Sequence, residues 1–118
     1  MDKNQFYLYK SNRKGKKYMM KMPYYNHTHH FGGVKASGEP YRDYTLLHNR
    51  NSKYYLPTQA QRDKVRKAYR TRHAKDKGLG SIHAPSEMSM VILWSKPTLE
   101  QGIKAFETKH GVKINKMF

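Results

Sequence analysis

With 118 residues the chain is sized for one domain, 1–118, and its 36% of hydrophobic residues, ten tyrosines among them, leaves a thin apolar supply for a core. Cysteine is absent, which excludes disulfides and cysteine-bound zinc, and the longest apolar run, Met90–Trp94, is far too short to span a bilayer. Lysine and arginine number 24 against 8 acidic residues, a net charge of +16, so the expected partner is a polyanion.

The charge is spread evenly. Residues 1–60 carry 11 basic and 3 acidic side chains and residues 61–118 carry 13 and 5, so each half is net +8. A basic tail on a neutral domain would be lopsided. The N-terminus lacks the apolar run of a signal peptide, and the chain is expected to be soluble and intracellular.

In chain order, Gln5–Lys10 alternates as a strand, with Phe6 and Leu8 on one face and Tyr7 and Tyr9 on the other. Lys17–Met22 alternates likewise, and Gly15 in the intervening "SNRKGKK" supplies the positive φ of a tight hairpin. Pro23 should end the second strand. His27–Phe31 reads as a third short strand, stopped by Gly32 and Gly33, and Tyr41–Leu47 as a further one. A helix is predicted from Thr58 to Lys77, opened by the capping-box pair Thr58 and Gln61 and stopped by Gly78 and Gly80. A short helix is predicted over Ser86–Ser95. The last helix opens at Thr98, buries Leu99, Ile103 and Phe106, and ends at Gly111; Val112–Ile114 can add an edge strand. The fold class is therefore α+β: an N-terminal hairpin or antiparallel sheet, about three helices, and a C-terminal edge strand.

Function must come from the charge. At about 100° per residue, Arg62, Arg66, Arg70, His73 and Lys77 fall within an arc about 80° wide, a ridge about 22 Å long on the predicted helix. Val65, Ala68, Tyr69 and Leu79 occupy the neighbouring arc, which can face the core. Only Asp63 and Asp76 offset the eight basic residues of Arg62–Lys77, and arginine meets phosphate with a bidentate fork. The hairpin tip offers a second cationic site: Arg13, Lys14, Lys16 and Lys17. Tyr7, Tyr9, Tyr24, Tyr25, Tyr54 and Tyr55 could stack on bases, but in a chain short of leucine and valine tyrosine is expected to fill the core.

Metal chemistry could begin only at "NHTHH". His27 and His29 share a face of a strand, but a third ligand would have to come from Glu39, Asp43 or His48, with no recognisable spacing, so no metal is expected. Eight scattered carboxylates without a D-x-D or E-x-K grouping argue against a metal-dependent nuclease. No phosphate loop or nucleophile motif appears. The expectation is a protein without enzymatic activity, cofactor or small-molecule substrate.

"KGKKYMMKMP", "HFG", "YRDYT", the basic "RDKVRKAYRTRHAK" and "LWSKPTLEQGIKAFETKHGVKI" together resemble a family of small uncharacterised basic proteins of giant (nucleocytoplasmic large) DNA viruses of protists. The similarity runs from about Lys16 to Ile114 and is densest at Trp94 and Lys96–Leu99. The stretch after His30–Gly32 is longer here, and "GSIHAPSEMSMVIL" replaces a more tryptophan-rich segment. No catalytic residue transfers from the family. The resemblance implies a virion or infected-cell context, with the protein soluble in the host cytoplasm or nucleus before assembly. Two readings follow. The first is a structural virion protein, a minor capsid or internal component contacting acidic surfaces of capsid or other virion proteins. The alternative is a sequence-nonspecific nucleic-acid-binding protein that packages DNA through its phosphates.

Overall fold

A computed structural model describes residues 2–118 as a four-stranded mixed sheet with four helices, an α+β architecture. Strands β1 (Gln5–Lys10), β2 (Lys16–Met22) and β3 (His27–Gly33) form an antiparallel meander. Strand β4 (Lys113–Lys116) returns beside β1 and runs parallel to it, giving the order β3-β2-β1-β4. The expected hairpin, the third strand and the C-terminal edge strand are all present. Gly15 turns the hairpin at φ 85°, and Pro23 opens a single 3-10 turn, Pro23–Tyr25, that separates β2 from β3.

Alternation sets the sheet's two faces. Phe6, Leu8, Met20 and Met22 are fully buried, and Phe31 joins them opposite Tyr18. Across this face lie the helical residues Met88, Ile92, Leu93, Ile103 and Phe106, so one core is closed between the sheet and the C-terminal half of the chain. Tyr18, Tyr25, Tyr54 and Tyr69 pack against it, the filling role expected of tyrosine in a chain with few large aliphatics, whereas Tyr24 is exposed and Tyr7, Tyr9 and Tyr55 lie outside this cluster.

Three elements differ from expectation. Tyr41–Leu47 is not a strand: Tyr44–His48 forms the short helix α1, because Asp43 accepts hydrogen bonds from Leu46 N (3.0 Å) and Thr45 Oγ1 (2.6 Å) as a side-chain N-cap. Helix α2 covers Gln59–His73 and opens on the full capping box of Thr58 and Gln61, but it stops four residues before Lys77. In the next turn, 74–77, the core-spaced position is Asp76 and no apolar side chain holds the helix down, and Asp76 closes the end through its backbone N–H to His73 O (3.1 Å) and its carboxylate to the His73 ring (2.7 Å). The segment Ser86–Ser95 is not one regular helix: α3 spans Pro85–Met88, and Ser89–Leu93 widens into a π-helical turn. Helix α4 (Leu99–His110) begins at Thr98, which accepts from Gln101 N, and ends at Gly111 with φ 65°.

Candidate polyanion-binding cleft

The predicted ridge on α2 is broken up. Arg66 folds against the body: Nη1 donates to Ser95 O (3.0 Å), Nη2 to Asp63 (3.2 Å), and the guanidinium lies 4.2 Å over the ring of buried Tyr44. Arg62 donates to Leu56 O (2.6 Å) and to Gln59 Oε1 (3.3 Å). His73 is bonded to Asp76 and tilts over Tyr69 at 4.2 Å. Lys77 is exposed but lies past the helix end, and of the five only Arg70 is both exposed and helical. A guanidinium within reach of fixed carbonyls and an aromatic face gains charge-assisted bonds there. That is why Arg62 and Arg66 work as ties rather than as a free row. On the other arc, Val65 and Tyr69 pack on the core as expected, whereas Ala68 is exposed.

At the hairpin tip Arg13, Lys14 and Lys16 are exposed. Lys17 is not free: its ammonium is 2.5 Å from Asp43, whose residue is 3% exposed, so it neutralises a buried carboxylate.

The structure brings one end of each predicted cationic region to the same place, while Arg13, Lys14, Arg62, Arg66, Arg70 and Lys77 lie outside it. Lys16 and Lys17 from β2 and His73 from α2 border a cleft of about 380 Å³, joined by Arg42 from the loop before α1 and by Arg72. Its floor is the glycine pair ending β3 and the indole of Trp94, on which Tyr69 stacks at 4.0 Å with planes 7° apart. A Cβ on Gly33 would come within 2.8 Å of the ring of exposed Tyr41, which forms part of the wall and would have to shift. Arg42 and Arg72 escaped the sequence reading. Arg72 lies about 80° from Arg62 on the arc of Val65 and Tyr69, and a charge on that arc near a helix end is the signal that could have found it. There the helix overhangs the core, so a side chain on the inward arc points into the cleft.

Electrostatics sharpen this picture. All eight carboxylates accept a hydrogen bond within the chain: Asp2 from Asn4 N, Glu107 from Ile114 N, and the other six from charged or histidine partners. Glu87, 1% exposed, is pushed up by burial, yet hydrogen bonds from Lys109, Gly80 N and His110 outweigh that and hold its carboxyl below the usual range. Among the described residues Lys16, Arg42 and Arg72 have no ion-pair partner, and Asp43, the one carboxylate of the cleft, is already answered by Lys17. The cleft is therefore a site of uncompensated positive charge with an aromatic floor. It contains no free carboxylate to act as a base or to hold a cation.

The proposed third ligands for His27 and His29 lie elsewhere. Glu39 is bonded to Lys53, Asp43 to Lys17, and His48 packs edge-on to Tyr44 at 4.6 Å. Comparison of the chain with protein-family models, with curated proteins and with solved structures finds no match.

Proposed function

We propose that this protein is a non-enzymatic polyanion-binding protein whose cleft, formed by Lys16, Arg42 and Arg72, takes phosphates of a nucleic-acid backbone. The observation that carries the reading is the pairing pattern. Every carboxylate is engaged inside the fold, while these three cations converge unpaired on one concave surface. A cleft of about 380 Å³ cannot enclose a duplex, so duplex DNA would meet it through backbone phosphates, contacts that carry no sequence information directly. Arg13 and Lys14 at the adjoining hairpin tip extend the cationic surface beyond the cleft.

The resemblance to basic proteins of giant DNA viruses supports a second reading. In it the same face seats on acidic capsid or other virion proteins, and the protein is a minor structural component of the particle. Fluorescence anisotropy with two duplexes of unrelated sequence, and with polyglutamate as a protein-like polyanion, separates the two. For the nucleic-acid reading, both duplexes bind alike and more tightly than polyglutamate. The triple variant Lys16→Gln, Arg42→Gln, Arg72→Gln then weakens both by roughly 10- to 100-fold, consistent with about three lost phosphate contacts. Undiminished duplex binding by the triple variant would remove the cleft from the account.

A further inference from the structure

Strand β3 carries His27 and His29 opposite Met22 and Met20 of β2, and cross-strand partners share a face, so both rings stand on the core side of this edge strand. The loop between α2 and α3 brings His83 onto them. That loop is tightly held. Ser81 N donates to Gly78 O (2.9 Å), Gly80 N to buried Glu87 (2.8 Å), and His83 N to Ser81 Oγ (3.1 Å). Gly78, at φ 87°, lies so close to Ala84 that a Cβ there would be 2.4 Å from the Ala84 methyl. His83 is thus presented by a rigid loop, with Tyr25 edge-on against its ring at 4.6 Å.

One candidate ligand atom from each of the three histidines lies within 4.8 Å of the others. Ring centroids are 5.4 Å apart for His27 and His29 and 5.2 Å apart for His27 and His83. Imidazoles on one tetrahedral zinc, with Zn–N of about 2.0–2.1 Å, have nitrogens roughly 3.3 Å and centroids roughly 5 Å apart. Both ring pairs made by His27 are near that separation, and the ligand atoms, within 4.8 Å of one another, would close in by rotation of the rings. Two of the rings also carry a buried nitrogen with no hydrogen-bond partner, His29 Nε2 and His83 Nδ1. A buried polar atom without a partner is costly, and a cation between the rings would satisfy such an atom. Burial first, then the neighbouring histidines, lowers the His29 pKa, which favours the neutral imidazole that a metal requires.

We propose that His27, His29 and His83 form a binding site for a divalent transition-metal ion of zinc type, with water in the fourth position. Three imidazoles and no carboxylate suit zinc and its neighbours, not magnesium or calcium. The bound ion would fasten the α2–α3 loop to the free edge of the sheet and add two positive charges to an already cationic surface. The site is separate from the cleft and goes beyond the polyanion reading.

The test is a titration of the full chain, stripped of metal by a chelator, with zinc chloride in competition with a chromogenic zinc chelator. One equivalent is expected to bind at micromolar concentration or tighter and to raise the thermal midpoint. His83→Gln should weaken binding about 100-fold, since even outer-shell losses cost about 10–100-fold. Exposed His27→Gln, which removes no core contact, should do the same while keeping the apo midpoint. His48→Gln should leave binding unchanged. Absence of saturable zinc uptake would overturn the proposal. So would uptake that His27→Gln shares undiminished with the parent chain, which decides the matter even if His83→Gln fails to fold.

Discussion

Arg66 and Arg70, four residues apart on one face of α2, have different jobs. Arg66 bridges Asp63 and the Ser95 carbonyl and covers Tyr44, whereas Arg70 is exposed. Arg66→Gln should therefore lower stability by about 1.5–3 kcal/mol, the range for hydrogen bonds to charged groups, while Arg70→Gln should stay within about 0.5 kcal/mol of the parent. Urea midpoints of the two variants check this, and equal midpoints would contradict it. Glu87 is the other decisive side chain. Its folded pKa lies below the unfolded value of about 4.3, so its contribution is full above that pH and is lost as pH falls from there through the lower folded pKa. Glu87→Gln should cost about 1.5–3 kcal/mol at neutral pH, the range for hydrogen bonds to a charged group, because the Lys109 ammonium it releases is half exposed. It should also flatten the acid limb of a stability–pH profile; an unchanged acid limb would show the carboxylate to be unimportant. Both roles depend on residues distant in the chain. A helical projection places the arginines on an arc correctly, but it contains no Ser95 carbonyl 29 residues away and no His110 beside Glu87. The segment around Trp94 shows the same limit. In the fold it is a joint: Trp94 stacks on Tyr69, Ser95 O accepts from Arg66, and Thr98 caps α4.

At the scale of elements, those legible in the sequence are the ones whose signals are local. The hairpin follows from alternation plus Gly15, and both long helices start at the threonines that their spacing indicates. Helix α1 was illegible because "YRDYTLL" alternates well enough for a strand, and the choice is made by Asp43, which caps the helix while holding Lys17 from β2. The end of α2 was illegible for a related reason: basic residues continue past His73 while core contacts do not. Helix α4 packs on the π-helical turn through Gly102, where an added Cβ would lie 2.0 Å from the Ile92 carbonyl oxygen. A solvent-facing Gly→Ala in a helix gains up to about 1 kcal/mol. Here Gly102→Ala should instead destabilise by about 1–3 kcal/mol or more, because the neighbour is backbone and cannot swing aside. Phe106→Ala, which empties a fully buried site on the same helix, should cost about 3–5 kcal/mol. Chemical denaturation measures both, and a stabilised Gly102→Ala would show that the helix is not docked so closely.

For the whole molecule, the sequence reveals the amount of charge and the fold reveals where it is free. Net +16 was plain from composition. That the carboxylates are engaged internally, and that Lys16, Arg42 and Arg72 meet across a cleft between β2, α1 and α2, required the tertiary structure. The third histidine beside His27 and His29 was hidden in the same way, 54 residues from His29 in the chain. The account's central claim is that these cations bind phosphate backbone. The most direct test is the slope of log affinity against log salt concentration for duplex DNA, in the parent chain and in the triple variant at positions 16, 42 and 72. Each phosphate contact contributes about −0.9. With Arg13 and Lys14 included, the parent slope should be roughly −4 to −5. The triple variant should flatten it by about 2.5, with the same change for unrelated sequences. A parent slope near zero, or one that the triple variant leaves unaltered, would contradict the claim.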